Sequence, residues 1–343
     1  MIDRSAFAAC ACALALLVQA GATAAPALTL VAKIPVPPMT GTWDHLTVDQ
    51  ATKRLFLSAQ DQQVVYVVDV PGRALVHQIS ADFDRPQGEL YVPQVGRLVV
   101  TNGRDGRVRI LHGHNYRVAA TLTLSLGADM IAFDPRHRVL YVESGGTDSL
   151  RGPGWLALID PVTGELVGKI TTGYRAAALV MAHRRARLYV AIPARDQIAV
   201  IDTDTRRVVR RFAVPGRPAS MALDEAGGRL FVATRTFPGD PRPPTFNVLD
   251  VDTGRVVASL ASRDATEDMT FDPVHRGIYT TSLDGFVQAY RQVDADHYQL
   301  VETLATAPHA GTSQFIPALD ELCVAVPPAA GRAAAVWVFR AGP

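Results

Sequence analysis

Cysteine is scarce in this sequence, and its scarcity removes several chemistries at once. Of three cysteines, Cys10 and Cys12 fall in an apolar leader and Cys323 alone lies beyond it. A single thiol cannot close an intramolecular disulfide. Cys323 stands in the strand-like run Leu322-Cys323-Val324-Ala325-Val326, where a buried apolar role is the simplest expectation. No Cys-x-x-Cys-His occurs, which excludes covalent c-type haem and, with it, paired-cysteine zinc ligation. Excess charge is lacking too. With 34 Lys and Arg against 33 Asp and Glu, a net charge of +1 offers no global field for nucleic acid or an anionic membrane. Beyond the leader no run of about 18 apolar residues appears, so no integral membrane segment is expected. Gly-x-Ser-x-Gly, Walker A and His-Glu-x-x-His motifs are missing as well, leaving a poor catalytic inventory.

What is present is apolar enough to build a large core. Hydrophobic residues make up 48% and charged residues 20% of the 343-residue chain, which excludes disorder, collagen and coiled coil. Residues 1–24 read as a cleaved secretory signal. Arg4 supplies the positive start, Phe7 to Val18 an apolar stretch too short to span a bilayer, and Ala22-Thr23-Ala24 the cleavage site. No second arginine adjoins Arg4, so the expectation is Sec export to the periplasm or the medium.

Self-similarity then fixes the domain count. Runs of the type Leu-Tyr/Phe-Val begin at Leu55, Leu98, Leu140, Leu188, Leu230, Ile278 and Leu322, at spacings of 43, 42, 48, 42, 48 and 44 residues. A period of this size in short alternating β-rich runs predicts four-stranded propeller blades, strands A to D. The third copy parses into strand A at Met130 to Phe133, B at Val139 to Val142, C at Leu156 to Ile159 and D at Glu165 to Ile170. Asp134-Pro135 and Asp160-Pro161-Val162-Thr163-Gly164 supply the turns, because Asp bonds its own backbone, Pro presets φ and Gly accepts positive φ. The last copy ends at its strand C, Val336-Trp337-Val338-Phe339, while Leu28 to Ile34 resembles a strand D. Residues 25–343 are therefore expected to form one all-β domain. It is a seven-bladed β-propeller of four-stranded antiparallel blades, closed by pairing the N-terminal strand with the C-terminal blade.

Strand-B copies such as Leu188-Tyr189-Val190-Ala191 and Leu98-Val99-Val100-Thr101-Asn102 resemble the YVTN family of seven-bladed propellers, in particular its exported YncE-like members. So do the strand-C copies Ile198-Ala199-Val200-Ile201-Asp202 and Val248-Leu249-Asp250, and the turn Asp250-Val251-Asp252-Thr253-Gly254. The resemblance implies the fold and says little of chemistry.

A site is expected where strands A begin, at one mouth of the axial channel. Aligning the copies places Asp44, Asp129 and Glu267 at one position, with His45, Met130 and Asp268 at the next. The other blades offer Gln87, Ala177, Ala219 and Gly311, then Gly88, Ala178, Ser220 and Thr312. Asp44, His45, Asp129, Glu267 and Asp268 form a candidate divalent-cation set, and their mutual repulsion would raise at least one pKa. Arg175 and Arg217 precede strands A of blades four and five and could counter that charge or clamp an anionic ligand; His309 approaches the same mouth. Two long B–C loops, Glu143 to Gly154 and Thr234 to Pro244, project on this face. His137 and His275 fall in equivalent turns on the opposite face, and His112-Gly113-His114 lies in a peripheral turn.

These features favour a monomeric periplasmic binding or scaffolding propeller that takes a small polar ligand, a metal ion or a protein at its mouth, with no nucleic acid and no cofactor beyond a divalent cation. Lactonase-type hydrolysis with metal assistance and an accessory role in a redox enzyme are the alternatives.

Overall fold

A computed structural model describes residues 26–145, 152–237 and 240–342. It contains seven four-stranded antiparallel sheets, six of them built from strands consecutive in sequence. The seventh joins Ser313–Ile316, Glu321–Val326 and Ala335–Ala341 to the N-terminal strand Leu28–Pro35. The expected seven blades and their closure are thus observed. Residues 1–24, read from the sequence as a signal peptide, lie outside the described residues, as do parts of both long B–C loops.

Closure is a full strand pairing. Leu28 pairs with Ala341 and Pro35 with Ala335, and the Gly342 amide donates to the Ala27 carbonyl at 2.8 Å. Ile34 is completely buried against Val336 and Val338, in one core with Leu55 and Leu57 of blade one. Leu28, at the other end, packs with Tyr279, Phe315 and Phe339 of blades six and seven. The N-terminal strand therefore unites blade seven with both of its neighbours. The seam carries an ionic staple as well. Glu321, 2% exposed at its side chain, accepts from Arg73 of blade one at 2.7 Å and from Arg340 at 2.8 Å. The two guanidinium groups hold its carboxyl below the ordinary value against the opposing effect of burial.

Within each blade the sequence dictates the strand types. Strands B and C are buried on both faces and read as nearly continuous apolar runs, such as Leu188-Tyr189-Val190-Ala191 and Val64–Asp69. Strands D face solvent and alternate, as in Leu166–Thr171. The Asx turns form as the sequence indicates: Asp134 accepts from the Arg136 amide at 2.9 Å, and Asp160 from those of Val162 and Thr163 at 2.7 and 2.9 Å. His137 and His275 complete such turns through Nδ1, each 2.7 Å from Asp134 and Asp272. In blade three, strand A runs Ile131–Asp134 and strand D Leu166–Thr171, each one residue later than the repeat predicts. Cys323 is buried within strand B of blade seven, where burial pushes its thiol up to about 12.

The register of strand A shapes the site. Pairing with strand B is interrupted between Trp43 and Leu46, Pro86 and Glu89, Pro218 and Ser220, and Thr266 and Asp268. In these four blades the position facing the mouth falls inside a bulge, which re-aims its side chain away from the ladder.

Truncating Glu321 leaves two arginines at the seam without their shared carboxylate. Because Arg73 and Arg340, 33% and 55% exposed, stay solvated, Glu321→Ala should lower the unfolding free energy by about 2 kcal/mol. Asp252→Ala, which removes the exposed pair with Arg185, should change it by less than about 1 kcal/mol. Urea unfolding of both variants checks the contrast; equal effects would show that the seam is not specially dependent on Glu321.

Candidate functional site

The mouth is a cavity of about 490 Å³. Strand-A starts line it with Asp44, His45, Gln87, Asp129, Ala177, Ala219, Glu267 and Thr312. B–C loops and D–A connections wall it with Gln60, Pro193, Phe237, Leu283, Arg85, Arg175 and His309. The blade path therefore places both kinds of loop on this face.

His45 is the hub. Its Nδ1 is 3.3 Å from Asp268 Oδ1, while Nε2 points the other way, 3.5 Å from Asp44 Oδ1 and 3.7 Å from Asp129 Oδ1. Asp268 is fixed in turn by the Ser313 amide, which donates to its Oδ2 at 2.9 Å. Burial alone would lower the imidazole pKa, but Asp268, by charge and hydrogen bond, and then Asp44 and Asp129 lift it well above its ordinary value. Burial pushes the Asp44 carboxyl up to about 7; His45 opposes the rise, and Asp129, Glu267 and Asp268 add to it. The cluster thus favours either retained protons or a cation.

Backbone packing sets the spacing between blades. A Cβ on Gly88 would fall 2.2 Å from the Asp129 carbonyl oxygen, so glycine lets blade three approach this closely. Thr101 Oγ then bridges the contact, accepting from the Gly88 amide at 2.9 Å and donating to the Asp129 carbonyl at 2.9 Å.

Donor atoms within 4.8 Å of one another come from Asp44, His45 and Asp129. Asp268 stands behind the imidazole, in a second chamber of about 220 Å³ below the mouth that it shares with Glu89, Met130, Met269 and Leu179. Glu267 is engaged by Arg235. Arg175 is buried between Asp129, 3.5 Å away, and Glu143, 3.3 Å away, and so steadies the mouth from behind. Arg217 turns outward, bonding Asp240 at 3.1 Å and stacking on Phe237 at 4.4 Å. Gln87 is nearly buried on the wall, and Thr312 and His309 reach the cavity from blade seven.

Sequence comparison of strand-A starts missed several participants. Glu143 and Arg235 come from the ends of strands B and Gln60 from the B–C turn just past one, where it donates to Asp44. Arg85 comes from a D–A connection. Glu89 lies two residues past Gln87 and accepts from the Ser58 amide at 3.0 Å; burial raises its carboxyl well above the ordinary value, against the opposing pull of Ser58 and His45. The detectable signal was a charged or amide residue where the other repeats end strand B in an apolar or hydroxyl side chain.

Fold and mouth together define a seven-bladed β-propeller with a polar, histidine-centred channel mouth. Its sequence is YncE-like: it is 26% identical over 197 residues to proteins named uncharacterized protein YncE from Salmonella typhi and Salmonella typhimurium. The match covers 56% of this chain and 54% of each relative, so the chain spans about half the length of the curated relatives it matches. No protein-family profile matches. A chain of Kuenenia stuttgartiensis hydrazine synthase is similar in structure, with a TM-score of 0.70 and 16% identity over 82% of this chain and 91% of that one. That likeness concerns the fold alone. Among the described residues no helix is long and apolar enough to cross a membrane.

The pKa shifts give a pH dependence with a definite sign. Both Asp44 and His45 bind protons more tightly when folded, so their stabilising contribution is complete in acid; the Asp44 share is lost as pH rises from about 4 to about 7, and the His45 share above the ordinary imidazole range. In metal-free buffer the thermal midpoint should therefore fall between pH 5 and 8, the part below pH 7 through Asp44. Asp44→Asn should flatten that fall, and an unchanged slope in the variant would contradict the assignment.

Proposed function

We propose that this protein is an exported binding propeller, periplasmic or secreted, whose mouth takes a small polar ligand anchored by a divalent cation on Asp44, His45 and Asp129. One observation carries the reading. Asp129 Oδ1 is shut off from solvent and accepts no hydrogen bond among the described residues, although it faces the His45 imidazole. A buried carboxylate oxygen without a donor is costly, and a cation bound by oxygen and imidazole nitrogen satisfies it.

The arrangement around His45 suits that role. Asp268 holds Nδ1–H, which leaves Nε2, on the side of Asp44 and Asp129, as the ligating nitrogen. Mixed carboxylate and imidazole donors suit a divalent ion such as Mn²⁺ or Zn²⁺ and leave room in the cavity for a ligand to complete its coordination. Binding must displace the protons that the metal-free cluster retains, so affinity rises with pH. The signal sequence read in residues 1–24 supports export, and the YncE-like fold supports a binding or scaffolding role.

Elemental analysis of the purified protein and equilibrium dialysis against Mn²⁺ and Zn²⁺ test the proposal. We expect close to one ion per chain. Asp129→Ala should weaken uptake at least tenfold, and Asp268→Asn by roughly ten- to a hundredfold through loss of imidazole orientation. Absence of saturable uptake by the wild type between pH 7 and 8 would end the cation reading.

A further inference from the structure

We infer that the mouth recognises an oxyanion, a carboxylate or phosphate group on a small molecule, through Arg85, with His309 on the neighbouring wall. This rests on the reading of the mouth as a binding site and names the class of its ligand.

The inference starts from the backbone. Each of the seven connections into strand A has a residue at positive φ a few places before the mouth: Gly41 at 80°, Arg85 at 59°, Gly127 at 74°, Gly173 at 89°, Gly216 at 113°, Ala265 at 55° and His309 at 65°, with a second, Asp82 at 53°, in the connection that holds Arg85. The turn recurs around the ring, and glycine is the residue that adopts it without a steric penalty. Four blades use glycine. Arg85 and His309 are the two long side chains kept at this position despite its conformational cost, and both line the mouth cavity. They belong to blades two and seven, on either side of the blade that carries Asp44 and His45. Arg73, Arg138 and Arg276 adopt the same φ in turns away from the mouth, so it is the placement of Arg85 and His309 on the cavity wall that points to a use for their side chains.

Electrostatics gives the same direction. The other arginines lining the mouth are neutralised, Arg175 by Asp129 and Glu143 and Arg235 by Glu267. Arg85 forms no ion pair among the described residues. Its Nε donates to Gln60 Oε1 at 3.4 Å, and the Gln60 amide donates in turn to Asp44. The guanidinium is thereby tethered beside the carboxylate proposed to hold the cation, with its two terminal nitrogens uncommitted. A planar fork of donors next to a divalent ion matches an oxyanion that bridges the two.

Calorimetry on the full protein, with and without Mn²⁺, using oxalate and inorganic phosphate as probes, tests this. At least one probe should bind the wild type, and which one binds decides between carboxylate and phosphate. Arg85→Gly should weaken that binding at least tenfold while the thermal midpoint stays level or rises, because glycine relieves the backbone. Arg85→Lys should recover part of the affinity, and His309→Gly should lose less affinity than Arg85→Gly, again without a lower midpoint. Binding of neither probe to the wild type, or wild-type affinity in Arg85→Gly, would overturn the inference. So would a lowered midpoint in Arg85→Gly with no recovery in Arg85→Lys, which marks a structural role. Mn²⁺ titration of the wild type alone is read separately: its failure with anion binding intact removes the cation anchor and leaves the assignment of Arg85 standing.

Discussion

Everything at the mouth depends on the pairing of Leu28–Pro35 with Ala335–Ala341. Seven twisted sheets arranged about an axis bring their inner strands together only if the circle is complete; an open array would splay. The pairing places its hydrogen bonds between the two ends of the chain and buries Ile34 in a core shared with blade one. It also uses contacts very distant in sequence, which are entropically expensive to form. The Glu321 staple acts at the same seam from the flank of the sheet. Ring closure is thus the condition under which Asp44 of blade one, Asp129 of blade three and Asp268 of blade six can all meet His45.

The meeting of these groups is itself unfavourable. Carboxylates from three blades converge on one imidazole, and the fold supplies compensation through retained protons, the Gln60 amide, the Ser313 amide and the flanking arginines. The compensation is uneven, for Asp129 Oδ1 is left without a donor. In the proposed binding site, that oxygen is the atom a bound cation would satisfy.

Much of this was legible in the sequence, for a physical reason. Blade strands recur with a fixed period, so equivalent positions can be superposed by eye, and Asp44, Asp129 and Glu267 align because they occupy the same place in the same unit. Closure was legible because Leu28 to Ile34 resembles a missing strand D. The rest was hidden where side chains cross between repeats. Arg217 aligns with the mouth, yet Asp240 in a loop draws it outward. Glu267 and Asp268 are adjacent in sequence, yet the bulge at Thr266 sends one to the upper cavity and the other beneath the imidazole. Arg235 ends a strand B and Gln60 follows one, and the exits of strands B carry no repeating polar pattern. Periodicity reveals what a repeat shares, and these contacts are what single blades do not share.

The two stacked chambers share His45 as their common wall. The lower one is lined by Met130, Met269 and Leu179 together with Glu89, Asp268 and Gln314. The imidazole therefore answers to both chambers, one ring nitrogen facing Asp268 and the other facing Asp44 and Asp129. An occupant of either chamber is felt in the other through a single ring, because charge gained on one side changes what the opposite nitrogen can hold.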